Sequence, residues 1–199
     1  MALQPLATVA DLTARGLTVQ NDETALVGVY LDVASTAVRE AAGVPISETT
    51  STVTIEGEDS QWLSLPGPPV RSVEAVAVDG RVLDVTAYKL RSGRLWLARG
   101  WSYGYEPAEV TVTYTHGLPE VPADIVDLVC RIAAATLIAY RSQPDGEGLA
   151  AKDVRSERIG DYSVQYGDSG RITEVELPDY LREQLAARFG GGATVVRSR

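Results

Sequence analysis

The feature that most constrains this chain is a helix-forming segment with almost no polar face, which follows a β-like alternation within residues 110–141. Of the fifteen residues from 125 to 139, twelve are apolar, and the only charged ones are Asp127 and Arg131. Those two are four positions apart with the acid first, so they can pair on one turn. A helix that is apolar nearly all round must be covered on every side. In a chain of 199 residues, this predicts that other subunits cover the helix, which favours an assembly component over an enzyme.

A second long helix is predicted near residues 22–43, where Gly43 and the following Pro45 end it. It carries two apolar stripes: Leu26, Val29, Tyr30, Val33 and Ala37 form one, and Val27, Leu31, Ala34 and Val38 form the other. Two apolar stripes require two packing partners. We therefore predict that six residues of the two long helices lie at contacts between subunits: Val27, Leu31, Val38, Val129, Ile132 and Leu137.

Between the two helices the hydrophobic pattern changes from helical to alternating, which predicts strands. Asp79-Gly80 and Ser92-Gly93 each lie between apolar runs, a pattern typical of two-residue hairpins. The predicted fold class is α+β, a helical bundle with long helices near 22–43 and 122–141, a terminal helix near 178–189 and an inserted antiparallel β-meander. The predicted domains are a helical part formed by residues 1–48 and 118–189, a meander at 49–117, and a flexible C-terminal arm at 190–199.

Composition narrows the class of protein. The chain has 27 Asp and Glu against 18 Lys and Arg, a net charge of −9, which argues against a protein that grips nucleic acid. Cys130 is the only cysteine, so an intramolecular disulfide is excluded and a reducing compartment is favoured. No apolar run approaches the ~20 residues needed to cross a bilayer, and residues 1–9 lack a signal-peptide pattern. We expect a soluble intracellular product without a membrane partner.

Residues that carry catalytic or ligand chemistry are sparse. His116, the only histidine, is a conceivable general base, but no Ser or Cys nucleophile motif accompanies it, so a turn or interface role is favoured. Glu56, Glu58 and Asp59 lack the spacing of a calcium loop, so a solvated loop is favoured there. No phosphate-binding glycine motif is present. The sequence therefore predicts no enzyme, no cofactor and no metal site.

One aromatic cluster lies next to arginines: Trp96, Trp101, Tyr103, Tyr105, Arg94 and Arg99. Such a group can stack on bases or sugars. The neighbouring Glu106 and Glu109 weaken a basic surface, and strands use aromatic residues for packing, so a core or subunit-contact role is favoured. A small-ligand-binding protein or enzyme that uses residues 96–105 is the alternative from another functional class.

Two segments and the order of the elements point to a family. The order is two N-terminal helices, a β insertion, a long apolar helix, the segment 156–166 and a short terminal helix, from about Leu6 to Phe189. With the junction at residues 114–125, this resembles the head-to-tail connector (adaptor) proteins of siphophages and their prophages. The resemblance implies a structural virion protein at the head–tail interface, assembled in the host cytoplasm.

The resemblance also implies partners. Members of this family form a ring, usually a dodecamer, beneath the portal protein; it extends the DNA channel and is the docking platform for a stopper or tail-completion protein. Genomic DNA would pass through without sequence-specific binding during ejection. In a cyclic ring, two different faces of each subunit meet. The two apolar stripes of the helix near residues 22–43 would supply such faces. A tail-terminator or another head-completion ring protein is the alternative, and the partner, portal or tail tube, distinguishes them.

The C-terminal residues predict a portal-binding arm. Glycines at 190–192 form a hinge, and a β-prone segment follows it: Ala193, Thr194, Val195, Val196 and Arg197. This segment could add a strand to the portal, and a disordered terminus is the alternative. The acidic balance further predicts that acidic residues face the channel, because negative walls repel phosphates.

Overall fold

The structure is a computed structural model that describes residues 3–102, 106–142, 156–159, 162–165 and 177–190. Its helices are α1 (Val9–Ala14), α2 (Thr24–Ala42), α3 (Ala123–Arg141) and α4 (Asp179–Phe189). Its strands are β1 (Thr49–Gly57), β2 (Trp62–Ser64), β3 (Val70–Val78), β4 (Arg81–Val82), β5 (Tyr88–Arg91), β6 (Arg94–Leu97), β7 (Ala108–His116), β8 (Ser156–Ile159) and β9 (Tyr162–Gln165). The chain divides into two compact units, a β unit built on residues 39–121 and a helical unit that contains 4–38 and 122–142.

The β unit consists of two antiparallel sheets that share one hydrophobic core. One sheet has the strand order β1-β7-β3-β4, and the other has the order β2-β6-β5. β1 and β7 pair along their whole length, from Thr49 opposite His116 to Gly57 opposite Ala108, so the chain enters and leaves the unit side by side. Twelve buried side chains from both sheets and the segments that follow β2 and β6 form the core: Leu63, Leu65, Val76, Val78, Tyr88, Leu95, Leu97, Trp101, Ala108, Val110, Val112 and Tyr114.

The predicted helical bundle with an inserted meander is wrong. The predicted helices begin and end within two residues of their predicted positions. The main core, however, lies between the antiparallel sheets, and the four helices are short, with 6 to 19 residues each. The strands do not form a meander either, because β7, the last strand of the β unit, lies between β1 and β3. Periodicity shows which residues form strands, but it does not show which strands pair.

Both predicted hairpin turns are confirmed. Asp79 and Gly80 have φ values of 49° and 75°, and Ser92 and Gly93 have φ values of 50° and 72°. Positive φ at both central residues is the type I′ geometry, whose twist matches that of the flanking strands. The turns set the registers Val78 to Arg81 and Arg91 to Arg94.

Threonine pairs cover the exposed side of the β1–β7 ladder. The hydroxyl oxygens of Thr50 and Thr115 are 3.0 Å apart, those of Thr52 and Thr113 are 2.9 Å apart, and those of Thr54 and Thr111 are 3.2 Å apart. Each pair is directly opposite in the register. Cross-strand hydroxyl pairs stabilise an antiparallel ladder by about 0.2–1 kcal/mol each, so these pairs favour the observed register of β1 on its exposed face.

The helical unit is held together by long-range polar contacts. Thr8 caps the N-terminus of α1, because Thr8 and Asp11 form a reciprocal capping box. The Leu6 amide donates to the Ser35 hydroxyl at 2.8 Å, which ties the N-terminal segment to α2. β8 and β9 form a separate two-stranded antiparallel pair. None of the helices among the described residues is long and apolar enough to span a membrane.

Candidate functional site

The candidate assembly surface is one face of α2. The stripe of Val27, Leu31, Ala34 and Val38 is buried, at most 2% exposed, and the buried Ser35 hydroxyl beside it donates to the Leu31 carbonyl at 2.6 Å. The other apolar stripe is not covered. Val29 is 55% exposed and Val33 is 40% exposed, and Leu26, Tyr30 and Ala37 beside them are half-buried. We call these five residues the α2 face.

α3 also leaves part of its apolar surface in water. Ile125, Val129, Cys130, Ile132, Ala133 and Leu137 are buried. Ile138 is 54% exposed, although it stands between apolar neighbours in the sequence. The protein therefore covers one side of each long helix and leaves an apolar remainder on the other.

The six predicted interface residues lie in the interior of their own chain. Their exposed fractions are between 0% and 2%: Val27, Leu31, Val38, Val129, Ile132 and Leu137. A second copy cannot reach these side chains without opening the protein. Residues available for a subunit contact are their exposed neighbours on the same helices, Val29, Val33 and Ile138. Sequence periodicity found both stripes of α2 but could not show which one the chain covers.

Charged pairs fix the ends of these helices. Arg141 at the end of α3 donates to both carboxylate oxygens of Glu23, with Nε 2.8 Å from Oε1, and to the Thr18 carbonyl at 2.7 Å. The hydrogen bond from Arg141 and one from the Gln20 amide lower the pKa of Glu23 to about 2. Glu23 therefore stays ionised at neutral pH and anchors the segment that enters α2.

A cavity of about 360 Å³ opens between α1 and α3 in the helical unit. Leu12, Leu17, Cys130 and Ala134 supply its apolar lining, and Arg15, Asp127 and Arg131 supply the polar part. The predicted Asp127–Arg131 pair is confirmed with a 2.7 Å contact, and Arg15 meets the same carboxylate at 3.1 Å. The hydrogen bond from Arg131, followed by that from Arg15, lowers the pKa of Asp127.

The cavity does not activate Cys130. Burial raises the pKa of its thiol, so the thiol stays protonated at neutral pH, and the thiolate is the reactive form. Cys130 is one of the buried side chains of α3 and contributes to its packing.

His116 has a hydroxyl partner that sequence reasoning missed. Its Nε2 is 2.9 Å from the Ser51 hydroxyl, and its Nδ1 is 2.8 Å from the Gly67 carbonyl. A carbonyl only accepts, so in the neutral imidazole Nδ1 carries the proton and the Ser51 hydroxyl donates to Nε2. Sixty-five positions separate the two residues, and only the pairing of β1 with β7 brings them together.

The distance between His116 and Ser51 is that of a general base and a nucleophile, but their surroundings indicate a structural hydrogen bond. The imidazole is 4% exposed and stacks on the Tyr114 ring at a centroid distance of 4.8 Å. Both ring nitrogens are used, and a Cβ on Gly67 would come within 2.7 Å of Nδ1. The ring therefore ties β1 to β7 and to the turn before β3.

The aromatic residues divide into two groups. Trp101 is fully buried and donates to the Gln61 carbonyl at 3.0 Å, so it is part of the core. Trp62 and Trp96 lie opposite each other on the outer face of the sheet β2-β6-β5. The Lys89 amine is 5.9 Å from the centroid of Trp96, and the Arg94 guanidinium carbon is 5.6 Å from that of Trp62. Tyr103 and Tyr105 lie outside the described residues.

The predicted portal-binding arm, Ala193, Thr194, Val195, Val196 and Arg197, also lies outside the described residues. Within the described residues, no group of three or more His, Cys, Asp or Glu side chains is placed to hold a metal ion. The chain matches no protein-family model and no curated protein.

Proposed function

We propose that this chain is a head-to-tail connector, which assembles as a ring beneath the portal of a tailed phage and forms part of its DNA channel. The α2 face is the observation that carries the proposal. Val29 and Val33 project from α2 into water, beside the half-buried Leu26, Tyr30 and Ala37. A contiguous apolar stripe on a helix marks a surface that another protein covers.

The energetics of this surface suit assembly. Burying a valine that is about half exposed contributes about 1 kcal/mol, and the α2 face offers two such residues with three half-buried neighbours. This gain is modest against the cost of association. Ring closure, or contact with the portal, would then be needed to hold the copies together.

The order of elements adds support. Two helices, a β unit, a long apolar helix, the β8–β9 pair and a terminal helix follow one another along the chain, which is the order that the connector resemblance rests on. The net charge of −9 suits a channel that lets DNA slide. Portal, stopper and passing genomic DNA are the partners of this function, and the virion is its location.

Affinity purification distinguishes this function from that of a tail terminator. The tagged chain is co-expressed with the portal protein and, separately, with the tail-tube protein of the same phage or prophage, and the purified complexes are imaged by electron microscopy. We expect a ring on the portal and no complex with the tail tube. A ring on the tail tube alone would assign the terminator role, and binding to neither would refute a connector.

A further inference from the structure

The three-stranded sheet β2-β6-β5 has a cationic and aromatic outer face. Its register places Trp62, Trp96 and Lys89 in one row across the strands, and Ser64, Arg94 and Arg91 in the next row. The leucines between them, Leu63 and Leu95, point to the other side and are buried in the core. We call the six outward residues the cationic face. It carries three cations and no carboxylate, in a chain whose net charge is −9.

The cations of this face have no acidic partner among the residues that the structure describes. Among the described residues, none of Lys89, Arg91 and Arg94 forms an ion pair with a carboxylate. Lys89 and Arg94 instead stack on the two tryptophans. Trp62 is 38% exposed. Tryptophan and arginine are the residues most enriched among those that dominate protein–protein binding energy, so this composition favours a protein partner.

The segment that leads into β2 carries negative charge. The chain reaches β2 through Glu58 and Asp59, which are both exposed and form no ion pair among the described residues. β2 is one edge of the sheet, and β5, with Lys89 and Arg91, is the other. Strands in a sheet are about 4.8 Å apart, so the cations of β5 lie roughly 10 Å from β2, the strand that this acidic segment enters.

We infer that the cationic face is a contact between copies of this chain, at which the β5 edge of one copy receives Glu58 and Asp59 of the next copy. A two-fold contact could pair the same groups reciprocally, but it would stop at a dimer. A head-to-tail contact leaves the β5 cations of one copy and the acidic segment of another unpaired at its two ends, so repetition of the contact generates a ring or a filament. The inference rests on the proposed ring and adds its direction and the residues that set it.

Nucleic acid is the competing occupant of this face. A base could stack on an exposed tryptophan, but a cation already lies over each ring. Three phosphate contacts with a single strand would give a salt dependence with a slope of only about −2.1, which describes weak binding by a strongly acidic chain. Charge complementarity within the chain itself favours the second copy.

Charge exchange tests the inference. Two double variants are made, Lys89→Glu/Arg91→Glu and Glu58→Lys/Asp59→Lys, and self-association is measured by sedimentation velocity at low and high salt. We expect each variant alone to associate at least roughly tenfold more weakly than the wild type. A mixture of the two should associate again, because each cationic edge then meets an acidic one. The matched control is Arg81→Glu, an exposed reversal on β4 of the other sheet, which should leave association unchanged.

The same variants are co-expressed with the portal protein, so that ring formation that occurs only on the portal is also measured. Portal-bound rings of Lys89→Glu/Arg91→Glu that form as readily as those of the wild type would overturn the inference and leave the connector function intact. Absence of portal binding by the wild type would refute that function instead. Failure of the mixture to regain association would overturn the inference. The inference would also be overturned if Lys89→Glu/Arg91→Glu lost binding to a fluorescent 20-nucleotide oligothymidine while its self-association stayed unchanged, because that result would assign the face to nucleic acid.

Discussion

The carboxylate of Glu23, just before α2, accepts two hydrogen bonds from the guanidinium of Arg141 at the end of α3, 118 positions away in the sequence. Arg141 also reaches the Thr18 carbonyl. One side chain therefore fixes both the segment that enters α2 and the last turn of α3. These two helices carry the apolar residues on which the proposed assembly depends.

This pair gives a pH-dependent contribution to stability. The hydrogen bond from Arg141 holds the pKa of Glu23 at about 2, below its ordinary value of 4.5. A lowered folded-state pKa stabilises the protein above the unfolded-state value, and that stabilisation is lost as the pH falls from about 4.5 towards 2. We expect Glu23→Gln to lower the free energy of unfolding at pH 7 and to have little effect near pH 2. Urea unfolding across this pH range measures the difference.

The matched control for that measurement is Glu40→Gln, on an exposed glutamate of α2 that forms no ion pair among the described residues. Its unfolding curve should follow that of the wild type at each pH. Equal effects of the two substitutions at pH 7 would contradict a specific role for Glu23.

Position 67 requires glycine for two reasons, its positive φ and the close packing of His116. Its φ is +67°, and an added Cβ would lie 2.7 Å from Nδ1 of His116. Gly80 has a similar φ of +75°, but nothing lies near its missing Cβ. We expect Gly80→Ala to cost about 1–2 kcal/mol of unfolding free energy from the backbone alone. Gly67→Ala should cost about 1–3 kcal/mol more from overpacking. Equal losses in chemical denaturation would contradict the close packing of His116 on Gly67.

The His116–Ser51 pair is expected to stabilise the β unit and to perform no hydrolysis. Ser51→Ala removes the hydroxyl that donates to Nε2 and should lower the unfolding free energy by about 1 kcal/mol. The matched control is Ser72→Ala, at an exposed serine of β3, which should have almost no effect. Hydrolysis of p-nitrophenyl acetate should equal the uncatalysed rate for all three proteins. A rate that Ser51→Ala abolishes would instead identify a nucleophile.

The C-terminal arm is expected to act only in docking. Deletion of residues 193–199 should abolish portal binding while the far-ultraviolet circular dichroism and the melting temperature stay those of the full chain. Reversal of both charges, Arg197→Glu/Arg199→Glu, keeps the length of the arm, so it tests whether the charge of the arm contributes to docking. Undiminished portal binding after the deletion would refute the arm.

Local signals in the sequence predicted local structure well. The Asp79-Gly80 and Ser92-Gly93 turns and the limits of the long helices follow from interactions within a few residues. The sheet order did not follow, because pairing β1 with β7 joins residues up to 67 positions apart, such as Thr49 and His116. The predicted helical bundle was wrong because it also depends on contacts between distant residues. A helix with two apolar stripes gives no sign of which stripe its own chain will cover.

The candidate site was only partly accessible to sequence reasoning. Periodicity identified Val29 and Val33 as apolar residues of α2, but burial in the structure is what separates them from Val27 and Leu31. The Ser51 partner of His116 and the row Trp62–Trp96–Lys89 depend on strand register. A two-residue hairpin at Ser92-Gly93 was the one signal that could have placed Arg91 beside Arg94 in advance.

The most direct measurement of the central claim is portal-dependent ring formation by Val29→Asp/Val33→Asp. Electron microscopy of portal complexes is compared among the wild type, this variant and Val82→Asp, a control at a valine of β4 that is still more exposed than Val29. We expect closed rings on the portal for the wild type and the control, and bare portals for a folded Val29→Asp/Val33→Asp. Rings of undiminished occupancy in that variant would contradict the assignment of the α2 face to assembly.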